Sequence, residues 1–333
     1  MSTEQEENTA NTQNVEPTWI AGFWRRIGAF LVDTLVLGIV GFSLGLFLEE
    51  QFVRLAGFGE LVGFVIASMY FGILNSKIGI GQTLGKQLLK IRVVDAAGEC
   101  ISLPRSIARY SILGVPFFVN GSMLSASLTG PFWHALLSLV IFGGAFSIVY
   151  LYVFNRATRQ SLHDLIVGTY VVYEAVDPIE TQPVWPGHRW VVPLLFAAAA
   201  AAPFILSAHI GDESFDNLRA GQSAVMDYPS VRHASVFRGT RTSGFTGTGG
   251  SSITFLSSQA FLLTNDVSDA NFARQLAIDL AKAVPESKDV DVVVIVLSYG
   301  YDIGIASSWR NYTYNFDPAE LLRNDEHSSR DET

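Results

Sequence analysis

The chain has 333 residues, a formal net charge of -9 at pH 7, a positive mean hydropathy of +0.30 and only 16% charged residues. Soluble globular domains carry roughly 25% charged residues, so this composition points to a membrane protein. An acidic chain whose few basic residues are clustered gives no footing to a nucleic-acid partner, and one cysteine, Cys100, excludes an internal disulfide or a cysteine-rich metal site.

Residues 1–20 (MSTEQEENTANTQNVEPTWI) lack the basic start and apolar core of a signal peptide and predict a disordered tail. A crossing needs about 20 mainly apolar residues. Residues 27–47 qualify, with Asp33 as their one charge, and residues 61–76 are uncharged, apolar and short. From Tyr110 to Asn155 no Asp, Glu, Lys or Arg occurs, a length suited to two helices. They are placed at 107–124, interrupted by Arg109, Pro116 and Asn120, and at 132–154, with turns available at NGS (120–122) and SLTGP (127–131). A linker, 176–189, leads to a fifth apolar segment at 190–210.

The basic residues orient this arrangement. The N-terminal tail and the loops 77–109 and 155–189 hold eleven Lys or Arg, and the short loops on the other side hold one, Arg54. By the positive-inside rule the N-terminus is cytoplasmic and the C-terminal domain lies outside the inner membrane. The expected fold is an α-helical transmembrane bundle of about five helices, four of them before residue 176, plus a small soluble α+β domain.

That domain is assigned to residues 211–322. Residues 211–230 read as irregular. Strands follow at 231–238 and 253–264, separated by the Gly/Thr/Ser-rich RGTRTSGFTGTGGSS. Phe272, Leu276, Leu280 and Val284 form an apolar stripe on a helix over 268–284. A buried strand runs from Val292 to Leu297, and a last strand carries Tyr312, Tyr314 and Phe316 on one face. The simple arrangement is β-β-α-β-β, one helix on an antiparallel sheet. Residues 323–333 are charged and predict a disordered tail.

Three stretches carry a resemblance: GFWRRIGAFLVD at the first helix, GQTLGKQLLKIRVVDAAGECISLPRSIARY in the first cytoplasmic loop, and RQSLHDLIVGTYVV after the fourth helix. In this order and spacing residues 20–175 resemble the RDD family of bacterial membrane proteins, named for one arginine and two aspartates. The resemblance implies that these are Arg26, Asp33 and Asp164. It also implies a link to sodium/proton exchange, recorded for some members. The fifth crossing and the outer domain depart from the family pattern.

Seven residues separate Arg26 from Asp33, two helical turns or about 10 Å, too far for an intimate pair. Arg26 can snorkel to headgroups, but a carboxylate deeper in the bilayer costs about 2.5–3.5 kcal/mol and needs a partner or water. Asp33 reads either as a proton or cation site or as a polar tie between helices. Candidate partners are Arg109, Arg156 and, through water, Arg26, and the three family residues are expected to converge at the cytoplasmic end of the bundle. His163 beside Asp164 is a weak proton-ligand candidate, and His134 next to Trp133 reads as an interfacial anchor.

GQTLGK is not a phosphate loop: Gly81 and Gly85 enclose three residues, not four, and Gln87 follows Lys86. It predicts a short helix lying on the membrane, with Lys86, Lys90 and Arg92 on anionic lipid, followed by two short strands around the turn DAAG. With no catalytic triad, HExxH pair or cofactor fingerprint, the expectation is a non-enzyme without metal or cofactor. Two functions stay open. One is a small cation/proton exchanger, which with so few helices would need a homo-oligomer. The other is a membrane-anchored interaction or assembly protein whose outer domain binds an envelope partner.

Overall fold

In a computed structural model the described residues are 19–121, 130–174, 183–207, 212–243, 251–321 and 323. The predicted tails up to residue 18 and from 324, the turn at 122–129, the first part of the linker and the centre of the Gly/Thr/Ser-rich loop lie outside them. The chain divides into two compact units. The first holds Met1–Ser43, Gly57–Leu206 and Ile303–Ala306; the second holds Leu44–Ala56, Ser207–Asp302 and Ser307–Thr333.

Apolar runs dictate the helices of the first unit. Helix α1 spans Phe23–Leu55 with a kink at Leu48 (φ -122°, ψ 21°), and after a break at Ala56–Phe58, where Ala56 takes a positive φ of 50°, α2 spans Gly59–Leu74. A short helix α3, Leu84–Leu88, and strand β1, Ile91–Asp95, precede α4, Leu103–Gly121. Helix α5 runs from Pro131 to Phe154, with a wider π turn at Leu139–Gly143. Then come α6, Leu162–Val167, strand β2, Thr169–Tyr173, and α7, His188–Ser207. Among the described residues three helical stretches are long and apolar enough to cross a membrane: Phe23–Leu74, which includes the break, Pro131–Phe154 and His188–Leu206. Helix α4 is not among them. Its aromatic side chains stack on α2, with Tyr110 4.7 Å from the Phe71 ring and Phe118 5.5 Å from Phe64.

Two expectations are corrected at the loops. Strand β1 does not fold back on residues 99–103. Its antiparallel partner is β2, with Val93 opposite Val171. The Asp95 carboxylate accepts from the N–H groups of Ala97 and Glu99, which closes a turn and leaves the following residues irregular. The end of the predicted tail is ordered: Trp19 and Ile20 are buried, and Ile20 bridges to Val172 as a short third edge. Ile91, Val93 and Val171 pack with Ala29 of α1, so this small sheet is seated on the first membrane helix.

The second unit contains a four-stranded sheet in the order β3-β4-β5-β6, with β3 Val231–Ser243, β4 Ser251–Leu262, β5 Val292–Asp302 and β6 Ser307–Phe316. The sheet is mixed, not antiparallel: β4 and β5 run parallel, because the crossover helix α9, Ala270–Ala283, returns the chain to the same end. Residues 212–226 are not irregular but form helix α8, Asp212–Met226. Helices α8 and α9 cover one sheet face around Leu256, Leu276, Leu280, Val293 and Ile295. A Cβ at Gly221 would press on Leu280 and Val284, so this mid-helix glycine lets α8 approach α9 closely. The last turns of α1 also belong here: Phe52 lies 5.3 Å from the Tyr301 ring, and Arg310 pairs with Glu49 at 2.9 Å.

Candidate functional site

Asp164 occupies the first turn of α6, with Ser161 as its N-cap. At this position a carboxylate can reach back to the N-cap amide, and Ser161 N–H lies 3.4 Å from its Oδ2. The stronger partners come from elsewhere. Arg26 of α1 reaches Oδ2 through Nη2 at 2.6 Å, and Arg109 of α4 reaches Oδ1 through Nη2 at 2.7 Å and Nε at 2.8 Å. Thr169, the first residue of β2, donates its hydroxyl to Oδ1 at 3.0 Å. Arg26 also donates to the Arg159 carbonyl and stacks its guanidinium over Tyr152. One fully buried carboxylate thus ties α1, α4, α6 and β2 together. The Arg109 guanidinium beside it, with Arg26, holds the Asp164 carboxyl well below the usual carboxylate range despite its burial.

His163 lies behind this pair, with Nε2 3.5 Å from Asp164 Oδ2. Burial pushes its pKa down to about 3, so the ring is neutral at pH 7. Arg105 clips the other end of α6, donating through Nε and Nη2 to the Val167 and Gly168 carbonyls, both at 2.7 Å. Those carbonyls are among the ones a helix C-terminus leaves without partners.

Asp33 is 0% exposed, and its partners were not foreseen. Tyr70 of α2 donates its hydroxyl to Oδ1 at 2.7 Å, Thr83 donates to Oδ2 at 2.6 Å, and the Gly85 N–H donates to Oδ1 at 2.8 Å. The last two come from GQTLGK. That segment packs against α1, because residue 85 has no side chain: an added Cβ would overlap the Ala29 carbonyl oxygen. Thr83 is also the N-cap of α3, its Oγ1 accepting from the Lys86 N–H at 3.3 Å, so one hydroxyl starts the helix and binds the carboxylate.

Lys86 is the main departure from the lipid-contact expectation. It is 9% exposed, and its ammonium lies 3.4 Å from Thr83 Oγ1 and 5.8 Å from the Phe71 ring. Burial, Arg109 and Arg26 push its pKa down to about 7 against the pull of Asp33 and Asp164. Lys90 and Arg92 follow on more exposed backbone.

The candidate residues are therefore sorted rather than merged. Arg26, Arg109, His163 and Asp164 come together; Asp33 is held apart by Tyr70, Thr83 and Gly85; Arg156 is exposed. Arg109, expected as a partner of Asp33, serves Asp164 instead. The sequence signal for the missed partners is modest: Thr83 precedes Gly85 and a lysine in a loop, and Tyr70 is the one hydroxyl-bearing aromatic in α2.

The sequence model of the RDD family matches residues 20–168 of this chain. Uncharacterized protein YckC of Bacillus subtilis (strain 168) is 27% identical over 154 residues, covering 46% of this chain and 84% of that protein. Uncharacterized protein YxaI of the same organism is 24% identical over 175 residues, covering 46% of this chain and 97% of that protein. No solved structure matches. Arg26, Asp33, Arg109 and Asp164 all fall inside the matched stretch, so the charges that tie the first unit together lie in its family part. Over residues 20–168 the chain is similar to the RDD family.

Proposed function

We propose that the chain is a membrane-anchored interaction or assembly protein in which the RDD charges hold the cytoplasmic end of a five-crossing bundle closed. The observation that carries this is the occupancy of the two carboxylates. A carrier carboxylate must exchange its partner for an ion or for water. Asp164 is held by two arginines, which do not deprotonate, and Asp33 by two hydroxyls and a backbone N–H. Such a set suits a fixed tie between segments. The soluble second unit, which a minimal exchanger does not need, then supplies the binding of an envelope partner. The stacking of α4 on α2 supports counting α4 as a crossing, and eleven basic residues against one support a cytoplasmic N-terminus.

One observation favours the second reading, exchange of a monovalent cation for protons. Among the described residues the buried Lys86 ammonium makes one long hydrogen bond, and burial lowers its pKa to about 7 against the pull of Asp33 and Asp164. Proton flux in vesicles, with and without a sodium or potassium gradient, separates the two. The interaction reading expects no flux above empty vesicles and recovery of a specific partner on the full-length protein. Gradient-driven flux that disappears in Asp33→Asn at unchanged protein level overturns it. An impermeant thiol reagent tests the orientation: Cys100 should stay unlabelled in intact cells, and a cysteine placed at Ser329 should label.

A further inference from the structure

A cavity of about 520 Å³ opens in the first unit where α5 ends, α6 passes and α7 begins. Its interior is apolar, formed by Leu151, Leu162, Leu165, Val192 and Pro193. Its size falls in the range of about 300–1,000 Å³ usual for small-molecule sites. Its position is set by two membrane-spanning stretches, because Phe154 ends one and His188 starts the other. With both stretches crossing a bilayer, their ends place the mouth near the boundary between hydrocarbon and headgroups. Trp185 and Trp190, 58% and 72% exposed, stand at the same level, as aromatic residues do at that boundary.

The lining has one residue of fixed charge, Arg189, whose guanidinium lies over the Trp190 ring at 5.9 Å. The other polar group, His188, is already engaged: its Nδ1 is 2.9 Å from the Tyr150 hydroxyl, and its ring meets Trp185 edge-on at 5.1 Å. Trp185 can stand there because residue 187 is glycine; a Cβ at Gly187 would overlap its ring. The wall is thus built from side chains that hold one another, with the Arg189 guanidinium stacked on Trp190 beside them.

We propose that this cavity is a binding site for an anionic phospholipid, one acyl chain entering between Leu151, Leu165 and Val192 and the phosphate meeting Arg189. The lining fits a ligand with a long apolar part and one anionic group, and the location supplies that ligand from the bilayer. Seating such a lipid needs no rearrangement of the Asp164 clamp, since α6 turns Leu162 and Leu165 to the cavity and His163 and Asp164 to the interior. The site is also distinct from the basic loop carrying Lys90 and Arg92.

The test uses the full-length protein in detergent, with retained lipid counted by native mass spectrometry. The probes are dioleoyl phosphatidylglycerol, dioleoyl phosphatidylcholine and inorganic phosphate. The wild type should retain the anionic lipid about five-fold better than the zwitterionic one, the equivalent of the ~1 kcal/mol a basic residue gains near an anionic surface. Arg189→Ala, at an exposed position, should abolish that preference while keeping acyl binding, and Val192→Trp should lower retention of both lipids. Millimolar inorganic phosphate should not displace the anionic lipid; displacement by phosphate alone would make this a phosphate site and overturn the proposal. Equal retention of the two lipids by the wild type overturns it as well. So does an unchanged preference in Arg189→Ala together with unchanged retention in Val192→Trp.

Discussion

Replacing Asp164 with asparagine keeps the shape of the side chain and removes its charge. Two buried guanidiniums then face each other with no anion between them, since Arg26 and Arg109 are 8% and 7% exposed and both point at this carboxylate. Removing one partner of a buried ion pair costs about 3–5 kcal/mol, a large part of the ~5–15 kcal/mol that holds a typical domain together. For a unit of this size that converts to a fall in Tm of roughly 6–20 °C. The assay is thermal unfolding of the purified protein in detergent at pH 7, where the native carboxylate contributes in full. Because its pKa is depressed in the folded state, that contribution is present above the unfolded value of 3.8 and is lost only as pH falls below it. The internal control is the triple variant Arg26→Met, Arg109→Met, Asp164→Leu. Replacing a whole buried cluster with apolar groups is often close to neutral, so the triple variant should be more stable than the single one. A single variant within about 2 °C of wild type would refute the clamp, as it would mean that the guanidiniums find water or another acceptor without strain.

Three further perturbations follow from the same geometry. Gly85→Ala pushes a methyl into the Ala29 carbonyl and should destabilise the first unit by about 1–3 kcal/mol in detergent unfolding; an unchanged midpoint would mean α3 does not seat on α1. Lys86→Met should flatten the pH dependence of stability. Lys86 has a folded pKa near 7 against 10.5 unfolded, so the unfolded chain binds more protons between those values and the wild type gains stability as pH rises through that window. Arg26, Arg109, Asp33, Asp164 and His163 face Lys86, so the comparison is the difference between wild-type and variant curves, and two parallel curves over pH 7–10 would refute the burial of a titrating ammonium. In the second unit Gly45→Ala would drive a Cβ into the Tyr301 hydroxyl; pairing it with Tyr301→Ala should recover about 0.5–3 kcal/mol of coupling in a double-mutant cycle, and strict additivity would deny the contact.

The sequence makes some of this fold plain and hides the rest for identifiable reasons. Helices α2, α5 and α7 are legible because lipid demands uninterrupted apolar residues. The apolar run of α1 ends at Phe47 because Glu49, Glu50 and Arg54 follow, and the helix kinks there, at Leu48 (φ -122°, ψ 21°), before a further segment runs to Leu55. Beyond the kink, Phe52 and Val53 are buried in the second unit. Helix α8 is masked by low hydrophobicity and by Gly221, a poor helix former. Leu218, Gly221 and Val225 nevertheless recur at helical spacing and face the core, a stripe that becomes visible once glycine is counted as a packing residue. The parallel pairing of β4 with β5 follows from a 14-residue helix between them, a crossover that suits parallel neighbours.

The site divides along the same line. That Arg26 and Asp33 cannot pair follows from helix geometry alone. That Asp164 collects both arginines does not, because its partners lie 138 and 55 residues away in the chain. GQTLGK is the segment whose place composition leaves most open. Leucines beside lysines at helical spacing are what an interfacial helix requires, and composition cannot tell that case from a segment folded inward. What decides is a hydrogen-bond requirement elsewhere: a carboxylate in a membrane helix needs donors, and the loop offers a threonine hydroxyl and a glycine N–H 50 and 52 residues further on. Once those donors are drawn in, Lys86 is carried with them, three residues after Thr83 on the same helical turn. The burial of Lys86 is thus a consequence of satisfying Asp33. It follows that substituting Asp33 should release the lysine: in Asp33→Leu, Lys86 should react with amine-directed reagents at pH 8 as an exposed lysine does, whereas in the wild type it should be protected. Equal reactivity in the two proteins would break the link between them.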